Sequence, residues 1–153
     1  MTAELGIAHL AAATAELSVV VPVLEELPAI AELHARLRRG LAPLGRRCEL
    51  IYVVDGPWRS TLETLKALRR QDGRIEILTF ARSMGEAAAL TVGLRHATGA
   101  VVLTLPAELE VDPAELPRLV RTLEASGVDI VTLARRVPGH GGRGKLERLL
   151  ELL

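Results

Sequence analysis

Five short stretches of the chain are almost wholly apolar: 17–23 (LSVVVPV), 48–54 (CELIYVV), 75–80 (IEILTF), 100–105 (AVVLTL) and 128–134 (VDIVTLA). Rich in β-branched residues and without regular polar alternation, they read as strands buried on both faces. The intervening segments switch to helical period. In 28–42, Ile30, Leu33, Leu37 and Leu41 fall on one stripe, with Glu32, Arg36 and Arg39 off it. Pro28 suits a first helical turn, and Pro43 and Gly45 end the helix. Ser60 and Glu63 have the S-x-x-E spacing of a capping box, opening a helix to about Arg70. Residues 84–97 form a small-residue helix whose face carries Ala87, Leu90, Leu94 and Ala97, fit for close approach to a sheet. Asp112-Pro113 starts a turn, and Pro117 opens a helix to about Ser126. A final short helix is expected over 145–153.

Strands alternating with helices predict an α/β fold, a three-layer sandwich around a mostly parallel, Rossmann-like sheet. Residues 1–16 are an Ala-rich extension, 17–138 the folded domain, and 139–153 a Gly-rich loop with an amphipathic helix. Ligands of such sheets bind at the carboxyl ends of the strands. Attention therefore goes to 22–27, 54–60, 81–86, 105–112 and 135–144.

Composition narrows the classes of function. In 153 residues, 19 Lys and Arg balance 19 Asp and Glu. No net basic field favours a nucleic-acid backbone, so a nucleic-acid partner is not expected. Seventeen of the 19 bases are Arg, which reads first as the codon usage of a G+C-rich genome. Tyr52, Trp58 and Phe80 are the whole aromatic complement, so ring stacking has little part in any ligand site. A lone cysteine, Cys48, forms no internal disulfide and fits a reducing compartment. No stretch approaches the roughly 18–20 apolar residues of a membrane span. Val19 to Leu24 lacks the basic flank of a secretory signal. A cytoplasmic protein, at most peripheral to a membrane, is expected.

Four of the strand-end segments carry a family likeness. Leu17-Ser18-Val19-Val20-Val21-Pro22-Val23 resembles an opening strand usually followed by Y-N-E. Leu50-Ile51-Tyr52-Val53-Val54-Asp55-Gly56 resembles a strand ending V-D-D-G-S. Arg82-Ser83-Met84-Gly85-Glu86-Ala87-Ala88-Ala89-Leu90 resembles S-R-N-x-G-K-x-x-A-L. Leu103-Thr104-Leu105-Pro106-Ala107-Glu108-Leu109 resembles a strand ending D-A-D-L. In this order and spacing, over about 17–150, the chain resembles the nucleotide-binding half of family 2 glycosyltransferases of GT-A fold. The nearest likeness is to polyprenyl- or dolichyl-phosphate sugar transferases.

The resemblance implies a nucleotide-sugar site. Its nucleotide-binding positions are Pro22, Val23, Glu26, Asp55, Arg82 and Gly85, and Glu108 stands as a metal ligand. A D-x-D pair would hold Mn or Mg against the diphosphate of a UDP- or GDP-sugar. The chain departs from that pattern at several charged positions. Leu24 and Glu25 replace the Tyr and Asn before the retained Glu26, and Val54 replaces the first acid before Asp55. Ser83 replaces an Asn, Glu86 a Lys, and Pro106 the first Asp of D-x-D. Reversing a charge near phosphate costs about a few kcal/mol, or some two decades in affinity. The segments that follow the fifth strand in the family are reduced here to Gly139 to Leu153. The resulting expectation is a non-catalytic family domain, a pseudo-glycosyltransferase serving as a binding or interaction module, with no catalytic residue assigned. The alternative is an active transferase moving a hexose from a nucleotide sugar to a polyprenyl phosphate or glycan. A third reading is an unrelated doubly wound module of flavodoxin type.

Single residues leave alternatives open. Asp55 contacts a base or forms the turn before Gly56. Glu108, with Glu110 and Asp112 near it, is a metal ligand or a solvated carboxylate; Asp112 before Pro113 also fits a turn or cap. Arg82 pairs with a phosphate or with a surface acid. Trp58 covers a pocket, a partner or the sheet edge. Gly139 to Lys145 has the G-x-x-x-x-G-K spacing of a phosphate loop, but Leu146 stands where Ser or Thr would hold magnesium. His9, His34, His96 and Cys48 lack metal-ligand spacing, and His34 and His96 read as structural. Leu146, Leu149, Leu150 and Leu153 form an i, i+3, i+4, i+7 stripe expected to mediate self-association.

Overall fold

The structure, a computed structural model, describes residues 15–108 and 112–131. Four parallel strands are arranged in the order β3-β2-β1-β4. They are β1 (Leu17–Val23), β2 (Cys48–Asp55), β3 (Ile75–Phe80) and β4 (Val101–Thr104). The helices are α1 (Ile30–Leu41), α2 (Arg59–Arg69), α3 (Glu86–His96) and α4 (Leu116–Ser126). The parallel α/β architecture expected from the apolar runs is present.

The two central strands explain the layering. Every residue of β1 is buried, and β2 is buried except for a half-buried Glu49. Leu17, Val19, Val21, Val23, Leu50, Tyr52 and Val54 point to one face, where Ile30, Leu37, Leu65, Leu116 and Val120 cover them. Val20, Ile51 and Val53 point to the other and meet Ala89. Parallel strands must be roofed on both sides, and period-2 alternation divides the strand residues between the two cores. Pro22 is tolerated inside the sheet for a geometric reason. The Val20 carbonyl accepts from Leu105 N–H, so the alternate residues of β1 face β4. The β4 pairing ends at Val20–Thr104, and the donor that Pro22 lacks falls beyond it.

Close approach of α3 depends on Gly93. A Cβ there would stand 2.4 Å from Val20 Cγ1 and 3.1 Å from Val53 Cγ2. The buried stripe of α3 is Ala89 and Gly93. Of the expected face, Leu90 and Ala97 pack half-buried against the core that holds Ala89, whereas Ala87 is exposed and Leu94 is 47% exposed. Backbone proximity selects the smallest residues, and the larger ones lean to the flanks.

Two further expectations change. The capping box is not formed: α2 begins after Trp58 with no side-chain cap of its own. Glu26, on the loop after β1, accepts from Thr61 N–H at 2.9 Å instead. Residues 128–131 lie in no strand, and Val128 and Ile130 are 50% and 71% exposed. Asp129 interrupts that run, so its apolar content alone does not specify a ladder. Residues 132–134 lie outside the described residues, as do the Gly-rich loop, the C-terminal stripe and residues 1–14. The turn reading of Asp112 holds, since its Oδ1 accepts from Ala114 N–H at 3.0 Å.

A polar cluster sits inside the larger core. His34 Nδ1 lies 3.1 Å from the Tyr52 hydroxyl, and His34 Nε2 lies 3.5 Å from Asp72 Oδ2. Arg74 clamps Asp72 through Nε and Nη2 at 2.8 and 2.7 Å. Burial holds the His34 pKa below its ordinary 6.5, against the pull of Asp72. The hydrogen bonds from Arg74 hold Asp72 down at about 2.

Replacing Gly93 by Leu should force α3 from the sheet and cost about 1–3 kcal/mol by overpacking, read as a lower urea midpoint. Acid should destabilise the protein in two steps. Both groups have folded pKa values below their unfolded ones, so each contributes stability at high pH and loses it as pH falls. The His34 step begins below its ordinary 6.5, and the Asp72 step runs from 3.8 to about 2. Urea midpoints measured against pH should show both, and His34→Gln should remove only the first.

Candidate functional site at the strand carboxyl ends

Parallel strands bring the loops after β1, β2, β3 and β4 to one edge of the sheet. Pro22 pairs with Val53 and Val23 with Val54, which sets the β1 loop beside Asp55. Pro22 and Val23 are buried and belong to the scaffold of this edge.

Asp55 is its organising side chain and is 2% exposed. Its Oδ1 accepts from Met84 N–H at 2.6 Å and its Oδ2 from Gly85 N–H at 2.8 Å. Its carbonyl accepts from Ser83 Oγ at 2.9 Å and from Trp58 Nε1 at 3.1 Å. Asp55 therefore ties the end of β2 to the loop that starts α3. Gly85 takes φ +91°, a backbone state that side chains disfavour, and so turns its N–H towards the carboxylate. The Trp58 ring lies against Gly56: a Cβ there would stand 2.8 Å from the indole. That contact and the Asp55 hydrogen bond fold Trp58 onto the β2 turn.

Glu26 joins the other side of the edge. Its Oε1 accepts from both Thr61 N–H and Thr61 Oγ1, and Leu27 N–H donates to Thr61 Oγ1 at 2.8 Å. Thr61, 1% exposed, is thus the hub between the β1 loop and α2. Neither Thr61 nor Ser83 stood out in the sequence as a connecting residue. The contacts are long-range in the chain, and only the strand register creates them. Arg82 is exposed and makes no ion pair among the described residues. Glu86 is exposed at the first position of α3.

The β4 end diverges from this group. Pro106 lines a cavity of about 540 Å³ on the outer side of β4, with Leu94, Leu119 and Ile130. Glu108 lines a smaller one, about 170 Å³, with Glu32, Arg36 and Leu33 of α1. The structure joins Asp55 to Gly85 directly and sets Glu26 on α2, but Glu108 shares its cavity with neither acid. Among the described residues, no three His, Cys, Asp or Glu side chains are grouped to hold a metal ion. That donor set does not fit a divalent cation, which needs several oxygens at once. No helix among the described residues is long and apolar enough to cross a membrane.

The architecture is that of a GT-A glycosyltransferase sheet. It aligns with a mannosyltransferase, PcManGT from Pyrobaculum calidifontis in complex with GDP-Man and Mn2+, at TM-score 0.62 and 24% identity, over 72% of this chain and 32% of that one. It aligns with S. aureus TarS 1-349 in complex with UDP-GlcNAc at TM-score 0.63 and 22% identity, over 84% and 37%. The family model for glycosyl transferase family 2 matches residues 18–150, and the chain belongs to that family. Undecaprenyl-phosphate 4-deoxy-4-formamido-L-arabinose transferases of Salmonella paratyphi B and Salmonella enteritidis PT4 are 34% identical over 127 residues. The match takes in 82% of this chain and 38% of each relative, so it spans about two fifths of their length.

Asp55→Asn should leave one of the two loop N–H groups facing an amide donor. The expected loss is about 1–3 kcal/mol, with faster hydrogen exchange at Met84 and Gly85 than at Leu50 or Ile51.

Proposed function

We propose that this chain is a family 2 glycosyltransferase domain that keeps its sheet and strand-end loops as a binding or interaction module and does not itself transfer sugar. The observation that carries the reading is the disposition of charge at the strand ends. Residues 24–29, 55–60, 81–86 and 105–108 hold five carboxylates, Glu25, Glu26, Asp55, Glu86 and Glu108, against two guanidiniums, Arg59 and Arg82. Two of the acids are occupied by backbone donors: Asp55 by Met84 and Gly85, Glu26 by Thr61. The others do not gather into a cation site among the described residues. A nucleotide diphosphate approaching this edge meets net negative charge and, among the described residues, no grouped metal ligands to offset it.

The test is thermal unfolding with UDP and GDP, each with and without manganese or magnesium. A ligand at a hundred times its Kd adds about 2.7 kcal/mol of stability. The native chain should show no metal-dependent rise. A metal-dependent rise in the native chain would instead favour an active transferase, carrying a hexose from a UDP- or GDP-sugar to a polyprenyl phosphate or glycan as the relatives' names imply.

A further inference from the structure

The outer face of α1 and α4 carries a second concave surface, bordered by the segment that follows β4. A cavity of about 770 Å³ lies between the two helices and shares no residue with loops 23–28, 55–60 or 81–86. Arg36 and Arg39 enter it from α1, one helical turn apart, and Arg121 enters it from α4. Gly40 and Pro113 are among the residues that close it, and one carboxylate, Asp112, stands at its wall. One oxygen of that carboxylate already accepts from Ala114 N–H.

What sets these arginines apart is the pairing of their neighbours. Glu124 is bound to Arg46, Glu115 to Arg118, and Asp72 to both Arg38 and Arg74. Those three acids are matched elsewhere, whereas Asp112 and Glu32 pair with no arginine among the described residues. Among the described residues, Arg36, Arg39 and Arg121 make no ion pair. Arg36 also borders the smaller cavity that holds Glu32 and Glu108. Arg39 and Arg121 are therefore the two guanidiniums left to face an anion across the groove. Arg39 also borders an adjoining cavity of about 410 Å³ with Arg38 and Arg74, which extends the positive potential along α1.

We propose that this groove binds a phosphate group, held between Arg39 and Arg121 with Arg36 alongside. Guanidinium forks match the oxygens of phosphate, and charges facing each other across a concave surface reinforce one another. The chemistry is shared by a free phosphate or phosphomonoester and by the headgroup of an acidic phospholipid.

The experiment has two arms, both using the full chain. In the first, inorganic phosphate is titrated against thermal unfolding, with sodium chloride at matched ionic strength as reference. In the second, the chain is sedimented with phosphatidylcholine vesicles with and without phosphatidic acid. The double variant Arg39→Gln, Arg121→Gln is compared with Lys66→Gln, Arg70→Gln, which removes equal charge from the exposed face of α2. A phosphate-specific response should appear in at least one arm and weaken tenfold or more in the first variant alone. A response to free phosphate identifies a soluble ligand, and one to acidic vesicles alone identifies a lipid headgroup. Equal weakening in both variants, or no response beyond chloride in either arm, would overturn the proposal. Equal melting temperatures of the two variants in chloride keep the comparison free of folding effects.

Discussion

The carboxylate of Asp55 sits at the end of a fully buried strand and accepts two backbone N–H groups from the loop that opens α3. A buried polar group is costly unless its hydrogen bonds are made, and here two come from the loop that Ser83 also ties to the Asp55 carbonyl. The link fixes the entry angle of α3. That angle in turn lets Gly93 settle within contact distance of Val20 and Val53. The strand-end geometry and the packing of the second core are thus one arrangement.

Such use of charge has a functional consequence. An acid that satisfies backbone donors is less free to grip a ligand, and Glu26 repeats the pattern at the start of α2. The family scaffold is held together at its ligand-binding edge by the few acids the sequence retains there. Ser83 adds a side-chain hydrogen bond to the Asp55 carbonyl, so the same residue of β2 is held to this loop through both its side chain and its backbone.

Much of this fold was legible because double burial leaves a plain mark. The run 17–23 coincides with β1, and 48–54 falls one residue short of β2; 75–80 coincides with β3 although that edge strand is only half-buried. Strand ends placed Asp55 and Gly85 correctly at one edge. Long-range polar contacts were not legible: the S-x-x-E spacing at Ser60 and Glu63 pointed to a local cap, whereas the donor at Thr61 is met from 35 residues away. On α3, Leu90 and Ala97 pack on the core as their spacing predicts, but Ala87 and Leu94 do not, and hydrophobic spacing passes over Gly93. Periodicity ranks side chains by hydrophobicity, but the limiting quantity at a close crossing is volume, and glycine scores low on the first while winning on the second. Residues 128–131 show the opposite failure, since apolar content marks a segment that needs cover without saying which hydrogen bonds it makes.

Charge divides the molecule along the same lines. The described strand ends are acidic, and two of their acids, Asp55 and Glu26, serve the backbone. The face of α1 and α4 is basic, and Asp72, Glu115 and Glu124 serve arginines outside its groove. With 19 bases and 19 acids, neutrality is reached over the whole chain but not locally. At physiological ionic strength the screening length is about 8 Å, so a ligand at either face responds mainly to the charges beside it. Overall neutrality argues against a general polyanion partner, yet it leaves room for a single phosphate at one groove. An abundance of arginine that codon usage can supply would become specific only where the fold withholds its partners, and among the described residues Arg39 and Arg121 make no ion pair.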